Sequence, residues 1–453
     1  MPPQPPSAAS RDEPVIRDRG DACPGALRLH AADDGFLARI RIPAGLLTAD
    51  QASRLALAAD RFGDGHLELT SRGNVQLRGL ADQCGAGLAA LLDAAGLLPA
   101  PGHERIRNIV ATPLSGLDGS GRPDVLPWAG ELDRLLCASA RATALSGRFL
   151  FAFDDGRGDV AALGPDITVL ARPGGRALLR LGRAADAVEL AAADAPRAAL
   201  LAALHFLDTA EAAGNRAWRV SELPPEHALR ADAFVLRLAA AGIGASRTAD
   251  PVWPYAAPPR PGRTGAGDRA ALCVLPPLGR LTTAQWRELV QVADRGGRSL
   301  RITPWRSIVL PDALPGASPD VLPGAPLEGP PDGPGSARSL LESAGLVVSP
   351  GSPWETVTAC TGRPGCAKSL ADVRADARSV VEQTRGTRPV HWSGCERRCG
   401  HPRGTAWVDV VATPSGYDVA TEDSAPQHGV HLSALPAALA AARRTTSHDA
   451  AKK

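Results

Sequence analysis

The sequence predicts an α+β fold in which one half-domain is used twice, and three observations lead to that prediction. The segment Pro43–Gly63 recurs as Pro277–Gly297. Each copy opens with the same helix-start signal, and each helix is followed by a stretch that alternates in polarity with a period of two. The residues of the first copy that meet identical residues in the second are Pro43, Gly45, Leu47, Thr48, Gln51, Leu55, Ala59, Asp60, Arg61 and Gly63.

The helix of each copy is predicted from a capping box. Thr48 and Thr282 each precede a glutamine three residues further on, so that side chain and backbone can satisfy each other's free N–H groups. Each helix is expected to run for about 12 residues to a glycine. The alternating stretches His66–Leu80 and Ser299–Leu310 are then predicted to be strands.

Between the two copies, three segments with glycine turns predict an antiparallel meander: Arg148–Gly156, Asp166–Gly175 and Arg176–Arg183. Tyr255–Gly267 reads as a linker, Pro311–Ser336 as a long surface loop, and the tail after Pro436 as a short helix. The predicted organisation is a disordered lead-in (1–20), a first half-domain (21–100), a first catalytic lobe (101–253), a linker (254–270), a second half-domain with a Pro/Gly-rich loop (271–338), a cluster lobe (339–435) and a C-terminal tail (436–453).

Bulk composition excludes some classes of function. A formal net charge of +2 gives no basic field for nucleic acid. The most apolar stretch, Ala191–Leu207, is interrupted by charged residues and predicts a buried helix instead of a membrane span. No secretory signal is visible, so the eight cysteines predict a reducing cytoplasm and metal ligation over a disulfide scaffold. Lysine occurs only at Lys368, Lys452 and Lys453, so an anion site must be built from arginine.

Four cysteines fall in two tight pairs, Cys360-x5-Cys366 and Cys395-x3-Cys399. The wider spacing is unusual for a zinc knuckle, whereas an iron–sulfur cube presents four separate irons to its thiolates. Glycine, serine and threonine around both pairs let backbone N–H groups approach the sulfides. The pattern favours a [4Fe–4S] cluster, with a zinc site and four buried thiols as alternatives. The remaining cysteines, predicted to be packed core thiols, are Cys23, Cys84, Cys137 and Cys273.

Cysteine pairs of this spacing near the C-terminus of a duplicated chain resemble the nitrite/sulfite reductase family. The resemblance extends from Cys23 to about Val430 and is most specific at the cysteines and at TSRGNVQ, residues Thr70–Gln76. It implies a nitrite/sulfite reductase-like α+β fold, with two ferredoxin-like half-domains related by a pseudo-two-fold axis and mixed α/β lobes. By the same resemblance the four cysteines hold the cluster, and Cys399 bridges it to the iron of sirohaem.

The family's basic sites for a tetrapyrrole also have counterparts in this sequence. Arg72, Gln76 and Arg78 match its Thr-x-Arg…Gln element and are expected on one face of a strand. Arg107 and Asn108 in RIRNIVATPLSG resemble its second basic site. LTSR (69–72) faces ITPWR (302–306) in the repeat, which makes Arg306 the expected counterpart of Arg72. The predicted tetrapyrrole-binding residues are therefore Arg72, Gln76, Arg78, Arg107, Asn108 and Arg306.

One element departs from the reductases, whose anion site is closed by two lysines in a Lys-Phe-Lys sequence. The matching stretch here is Arg148-Phe149-Leu150. Arg148 can replace the first lysine and is, with Arg72 and Arg107, a candidate catalytic residue, but Leu150 replaces the second lysine with a hydrocarbon. Reduction of a small oxyanion requires several positive groups around it. Leu150 therefore weakens the reductase hypothesis.

A shorter branch of the superfamily, the precorrin-3B synthase family, offers a closer resemblance. Its motifs are matched by Cys23–Pro43, by TSRGNVQLRGL and by HWSGCERRCGHP, and its compact length is similar. The resemblance implies a monooxygenase of aerobic cobalamin biosynthesis that hydroxylates precorrin-3A at C20 and forms a γ-lactone. It further implies O2, an electron donor such as NADH, a reductase or a ferredoxin, a [4Fe–4S] cluster and a mononuclear non-haem iron, in a cytoplasmic monomer.

Two other hypotheses stay open beside the monooxygenase. A ferredoxin-dependent sirohaem nitrite or sulfite reductase would hold sirohaem tightly and would use Lys368 as the missing cation. A sensor that binds a cluster or a tetrapyrrole would need no electron donor. The sequence does not identify the ligands of a second iron. His391 and His401 flank the second cysteine pair, and hydrogen bonding to the cluster loop is favoured over iron ligation for both.

Overall fold

The computed structural model of the chain describes residues 21, 23–265, 270–296, 299–311, 336–384, 386–402 and 406–444. The predicted lead-in (1–20), most of the Pro/Gly-rich loop (312–335) and the end of the tail (445–453) lie outside the described residues. Among the helices that are described, none is both long enough and apolar enough to cross a membrane.

The two half-domains contain the same order of elements. The first comprises β1 (His30–Ala32), β2 (Gly35–Ile40), β3 (Leu46–Thr48), α1 (Ala49–Phe62), β4 (His66–Leu69), β5 (Val75–Leu80) and α2 (Gly85–Ala94). The first catalytic lobe that follows comprises β6 (Ile109–Ala111), α3 (Leu126–Ala138), β7 (Phe151–Asp154), β8 (Ile167–Arg172), β9 (Arg176–Leu181), β10 (Ala187–Ala191), α4 (Ala195–Ala212), α5 (Ala231–Ala240) and β11 (Ala245–Thr248). The second half-domain comprises β12 (Gly262–Thr264), β13 (Ala271–Val274), β14 (Arg280–Thr282), α6 (Thr283–Arg295), β15 (Ser299–Ile302), β16 (Ile308–Pro311) and α7 (Ala337–Ser343).

The half-domains exchange strands. The first sheet has the order β1-β2-β5-β4-β14 and the second β12-β13-β16-β15-β3, so each sheet is completed by a short strand from the other copy. Leu281 of β14 lies opposite Leu67, and Leu47 of β3 lies opposite Leu300. Helices α1 and α6 pack together beneath both sheets, where the Trp286 indole N–H donates to the Ala52 carbonyl at 2.8 Å. One apolar core therefore runs through both copies.

The local signals of the duplication are confirmed. Both capping boxes form, with the Thr48 and Thr282 side chains each accepting from the backbone N–H of the glutamine three residues on. The middle residue of each short helical turn has the same unusual backbone, with φ of 56° at Ala44 in Pro43–Gly45 and 59° at Leu278 in Pro277–Gly279. At Gly45 (φ 68°) an added Cβ would lie 1.9 Å from the Ile302 carbonyl oxygen, so only glycine allows the two copies to approach this closely.

Each predicted long strand is instead a hairpin, because a turn interrupts the alternation. In the first turn the Gly73 N–H donates to the Thr70 carbonyl, and in the second the Arg306 N–H donates to the Thr303 carbonyl. Gly73 and Arg306 both have positive φ, 66° and 61°. The structural counterpart of Arg306 is therefore Gly73, and that of Arg72 is Trp305. The predicted correspondence between Arg72 and Arg306 is therefore wrong by one residue, because the alignment of the two copies matched residue type and not turn conformation.

The predicted meander of the first lobe is wrong in one pairing. The sheet has the order β11-β10-β9-β8-β7-β6, and β7 pairs with β8 in parallel, although β8, β9 and β10 are antiparallel neighbours. The connection 155–166 contains a short helical turn and carries the chain back to the starting edge before β8 begins. Parallel neighbours need such a crossover. Helix α4 confirms the predicted buried helix.

The cluster lobe is built on a mixed sheet. It contains β17 (Val357–Ala359), α8 (Val373–Val381), β18 (Val390–Ser393), β19 (Val408–Thr413), β20 (Gly416–Thr421), β21 (Ser424–Val430) and α9 (Leu435–Ala442). Strands β17, β18 and β19 are parallel neighbours, and β19, β20 and β21 are antiparallel. The carboxyl ends of parallel neighbours meet at one edge of the sheet, which is where the cysteine pairs begin.

Candidate functional site: a cysteine loop pair and an arginine-lined cavity

The two cysteine pairs follow neighbouring parallel strands. Cys360 comes directly after β17, and Cys395 comes two residues after β18. The Cys360 N–H donates to the Trp392 carbonyl at 2.9 Å, and the Gly394 N–H donates to the Cys360 sulfur at 3.2 Å. Burial raises the pKa of the Cys360 thiol, and the Gly394 N–H opposes that effect. The fold thus brings the loops of both pairs into contact.

The residues around these loops fit an iron–sulfur cluster. All four cysteines are free, with Cys399 exposed and the other three half-buried. An added Cβ at Gly394 would lie 1.9 Å from the Ser369 Oγ, so the backbone can reach the sulfur only with glycine there. The buried Ser393 Oγ has no hydrogen-bond partner among the described residues, which leaves a donor for sulfide or thiolate. Two hydrogen-bond donors of this kind, the Gly394 N–H and the Ser393 hydroxyl, suit a thiolate-bound cluster.

The described residues show no preformed site for a single metal ion. Within the ranges that the structure describes, no three His, Cys, Asp or Glu side chains form a group that could hold one ion. Zinc needs four ligands at about 2.0–2.3 Å from one centre, and the four cysteines are themselves among the described side chains that form no such group. The expected mononuclear iron likewise finds no ligand set in this part of the chain.

The two histidines beside the second cysteine pair each have a polar side chain next to the ring. His391 is fully buried, and its Nδ1 lies 2.8 Å from the Thr358 Oγ1. Burial, with the charges of His401 and Arg306, lowers the pKa of His391 to about 4, so its ring is neutral. The His401 Nε2 lies 2.8 Å from an Asp409 carboxylate oxygen. These contacts are consistent with a role for His391 and His401 in supporting the loop after Cys399.

A cavity of about 2090 Å³ opens between the first lobe, the turn of the second half-domain and the cluster lobe. It extends from the β7–β8 connection to Gly400, the residue after Cys399. Its wall includes Arg72, Leu150, Arg219, Trp305, Arg306 and His401. A cavity of this size, with one end at the cysteine loops, suits a large ligand next to a cluster.

Two arginines of the wall, Arg72 and Arg306, have carboxylates in their surroundings (Asp166 and Glu68) but no carboxylate bound to them in the described chain. Arg72 donates to the Gly147 carbonyl at 3.1 Å, and within the described chain neither Arg72 nor Arg306 forms an ion pair. Burial and the charge of Arg219 lower the pKa of Arg72 to about 10. Burial and the charge of Arg374 lower the pKa of Arg306. Such desolvated cations favour an anionic ligand.

Sequence reasoning missed two further arginines, Arg39 and Arg41. Arg41 is 2% exposed, and burial together with the charges of Arg39 and Arg72 lowers its pKa to about 9. Its donors reach only backbone carbonyls, those of Arg105 and Pro24. The Arg-x-Arg spacing at the end of β2 was the available signal. With Arg72, these two form a cationic group, the Arg39–Arg41–Arg72 group.

Arg107 and Asn108 lie away from the cavity wall and have partners within the fold. Arg107 is 4% exposed and makes a two-pronged ion pair with Asp133, with both N–O distances 2.7 Å. Asn108 donates to the Gly147 carbonyl at 2.7 Å and accepts from the Asn74 amide at 3.2 Å. Asn108 therefore supports the turn that carries Arg72, whereas Arg107 is held by its pair with Asp133.

Gln76 and Arg78 share one face of β5, as predicted, but Arg72 lies in the preceding turn and not on that face. Gln76 accepts from Arg39 at 2.8 Å and donates to Glu68 at 3.0 Å. Arg78 is bound by a carboxylate of the same half-domain and by a backbone carbonyl of the cluster lobe.

In the stretch that departs from the reductases, Arg148-Phe149-Leu150, the first and last residues lie in different environments. Arg148 is exposed and stacks over the Trp218 ring at 5.3 Å, whereas Leu150 is 5% exposed and forms part of the cavity wall. Lys368 is exposed in the loop after Cys366. The wall, as far as the structure describes it, therefore presents arginines and a leucine where two lysines would close an oxyanion site.

Comparisons with known proteins agree with this architecture. A family model described as the nitrite/sulfite reductase ferredoxin-like half domain matches residues 29–95 and 263–323, one segment in each copy. The chain is 28% identical to a precorrin-3B synthase from Sinorhizobium sp over 91% of this chain and 84% of that protein. It is 27% identical to the ferredoxin–nitrite reductase of Synechococcus elongatus over 81% of this chain and 74% of that protein. The Mycobacterium tuberculosis NirA structure has the same fold, with a TM-score of 0.66 at 19% identity over 89% of this chain and 79% of that one.

Proposed function

Because the chain belongs to the nitrite/sulfite reductase superfamily, we propose that it is an oxidoreductase that acts on a tetrapyrrole substrate with O2. The reaction is the hydroxylation of precorrin-3A at C20 with formation of a γ-lactone, a step of aerobic cobalamin biosynthesis. One oxygen atom of O2 enters the macrocycle and the other leaves as water, with two electrons and two protons supplied through a donor such as NADH, a reductase or a ferredoxin.

The observation that carries this proposal is the composition of the cavity wall. Leu150 occupies the wall where the reductases need a lysine, and Arg148 points its charge to the surface. A small oxyanion would therefore lack the concentrated charge that its reduction requires. A macrocycle with many carboxylates needs the opposite arrangement, in which arginines are spaced along a large apolar cavity. The similarity to a precorrin-3B synthase over most of the chain supports the same choice.

The chain's own residues would bind and orient the substrate. Arg72 and Arg306 face the cavity without carboxylate partners among the described residues, and Arg39 and Arg41 extend the positive charge behind Arg72. Carboxylates bound by Arg72 and Arg306 would fix the ring in one orientation, and such orientation lowers the entropic part of the barrier. Leu150 and Trp305 provide apolar surface for the macrocycle.

Cys360, Cys366, Cys395 and Cys399 would hold the [4Fe–4S] cluster beside this cavity. When bound, the cluster supplies electrons one at a time. The Gly394 N–H and the Ser393 hydroxyl would donate hydrogen bonds to its sulfur atoms. The same cavity could hold resident sirohaem bridged by Cys399, which is the reductase alternative, and that alternative is supported by the similarity to a ferredoxin–nitrite reductase.

An anaerobic UV–visible spectrum of the purified protein distinguishes the two functions. A broad iron–sulfur shoulder without sharp macrocycle bands, together with O2-dependent conversion of precorrin-3A, is the expected result. Strong Soret-like and red bands, with reduction of nitrite or sulfite and no conversion of precorrin-3A, would refute the monooxygenase.

Two variants test the binding residues. Arg72→Gln should weaken precorrin-3A binding at least about tenfold, because charge-assisted hydrogen bonds contribute about 1.5–3 kcal/mol each. Arg148→Gln is the matched control, since it removes the same charge from the surface, and its binding should stay within about twofold. Equal losses in both variants would contradict the assignment of the cavity.

A further inference from the structure

The loop between Cys360 and Cys366 lies against the first half-domain, almost three hundred residues earlier in the chain. The Arg78 Nη2 donates to the Gly365 carbonyl at 2.9 Å, and the Ala367 N–H donates to an Asp33 carboxylate oxygen at 2.5 Å. These two contacts flank Cys366 on both sides. The loop therefore takes its position from a different part of the chain as well as from its own strand.

Each arginine that contacts this loop is itself fixed by a carboxylate. Asp34 binds Arg78 with two hydrogen bonds of 2.8 Å, in a pair whose side chains are only 19% and 6% exposed. Glu68, which is 8% exposed, binds Arg374. Arg374 donates in turn to the Cys360 carbonyl at 3.1 Å. Both ends of the loop are thus connected to a carboxylate of the first half-domain, the half-buried Asp34 or the buried Glu68.

The loop and the first half-domain are in close contact at Gly365. An added Cβ at Gly365 would lie 2.7 Å from the Asp34 Oδ2 and 2.8 Å from the Arg78 Nη2. A bidentate arginine–carboxylate pair has a fixed geometry, so the carbonyl that it binds is held in one place.

We infer that the Asp34–Arg78 and Glu68–Arg374 pairs are positioning elements that hold the first two cluster-binding cysteines in place. This inference rests on the cluster that the proposed function includes, and it deepens that proposal. It gives Arg78 a different task from the tetrapyrrole binding expected from the sequence. Arg78 and Arg72, two positions of one motif, then serve two different groups, the cluster loop and the tetrapyrrole.

The test uses Arg78→Gln, Arg78→Lys, Asp34→Asn and Asp33→Ala, with Asp82→Asn as the matched control. Asp82 is an exposed acid of the same half-domain outside the contacts described above. Asp33 is exposed and contacts the loop through one backbone N–H, so Asp33→Ala removes a loop contact with little effect on the folded core. Circular dichroism and the melting temperature establish that each variant is folded.

Two readouts separate positioning from general stability. The first is the rate of Cys366 alkylation in folded, cluster-free protein, and the second is the rate of cluster loss to a chelator after reconstitution, with the reduction potential of the cluster measured alongside. Arg78→Gln and Asp34→Asn should increase both rates about tenfold. Asp33→Ala should show a smaller increase, Arg78→Lys should recover part of the loss, and Asp82→Asn should match the wild type.

Two outcomes would contradict these assignments, one for the role of Arg78 and one for the cluster. If Arg78→Gln left both rates unchanged and weakened precorrin-3A binding as strongly as Arg72→Gln, Arg78 would be a tetrapyrrole ligand and the inference would be wrong. If the wild type bound no cluster, the cluster of the proposed function would be refuted, and the alkylation rates would still decide whether these pairs position the loop.

Discussion

Asp159 offers a quantitative test of the structure, because its carboxyl group is buried next to another acid. It is 2% exposed and lies in the β7–β8 connection, whose later residues form part of the cavity wall. Its Oδ1 accepts from the Thr112 hydroxyl at 2.9 Å and from the Val160 N–H at 2.7 Å. Burial, with the charge of Asp154, raises the pKa of Asp159 from 3.8 to about 7.

The direction of the effect on stability follows from proton binding. Between about pH 4 and pH 7 the folded protein keeps a proton that the unfolded chain releases, so the free energy of unfolding falls as the pH rises through this window. Each pKa unit corresponds to about 1.36 kcal/mol. The full cost at pH 8 is therefore about 4 kcal/mol, and that at pH 5 is about 1.5 kcal/mol.

Asp159→Asn removes the charge and keeps an oxygen that can accept both hydrogen bonds. We expect the variant to be more stable than the wild type, by about 2–3 kcal/mol more at pH 8 than at pH 5. Denaturant unfolding of both proteins at the two pH values measures this difference, with Asp82→Asn as a surface control. A stability difference between Asp159→Asn and wild type that is the same at both pH values would refute the reasoning.

Three further predictions concern the scaffold. Arg107→Met should lower the free energy of unfolding by about 3 kcal/mol, because it leaves Asp133 without its partner, and precorrin-3A affinity should not change; a loss as large as that of Arg72→Gln would restore Arg107 as a ligand. Gly45→Ala should lower the free energy of unfolding by more than about 2 kcal/mol, because both the positive φ and the Ile302 carbonyl oppose a side chain there. Gly65→Ala, with φ 73° and open space around it, should lower the free energy of unfolding by only about 1 kcal/mol. Equal shifts of the melting temperature in the two variants would contradict this prediction. Thr48→Ala and Thr282→Ala should each lose about 1 kcal/mol in denaturant unfolding, because their capping boxes are the same, and unequal losses would argue against equivalent helix starts.

The parts of the fold that could be predicted depend on local signals. A capping box involves four consecutive residues, so the starts of α1 and α6 were visible in the sequence. The spacing of the cysteines was visible in the same way. The turn after β4 was not, because alternation continues through it and only the positive φ at Gly73 and Arg306 reveals its register.

The arginines show why a motif does not identify a ligand-binding residue. Arg72 and Arg107 look alike in sequence, since both sit in a conspicuous basic motif. Asp133 neutralises Arg107 from a helix, and no carboxylate in the described chain does this for Arg72. Whether an arginine can bind a ligand depends on such distant partners, which the local sequence does not contain. Arg39 and Arg41 differ in this respect, because their Arg-x-Arg spacing was visible in the sequence and only their burial was not.

The exchange of β3 and β14 also affects how the chain folds as the ribosome makes it. The first sheet begins at residue 30, yet the edge formed by β4 (His66–Leu69) is closed only by Arg280–Thr282, so it stays open while nearly half of the polypeptide is synthesised. β3 likewise stays unpaired until its partner strand β15 has been synthesised. An open strand edge pairs readily with other chains, so nascent chains of this protein depend on protection until the second copy emerges, and a fragment that ends before residue 280 should aggregate.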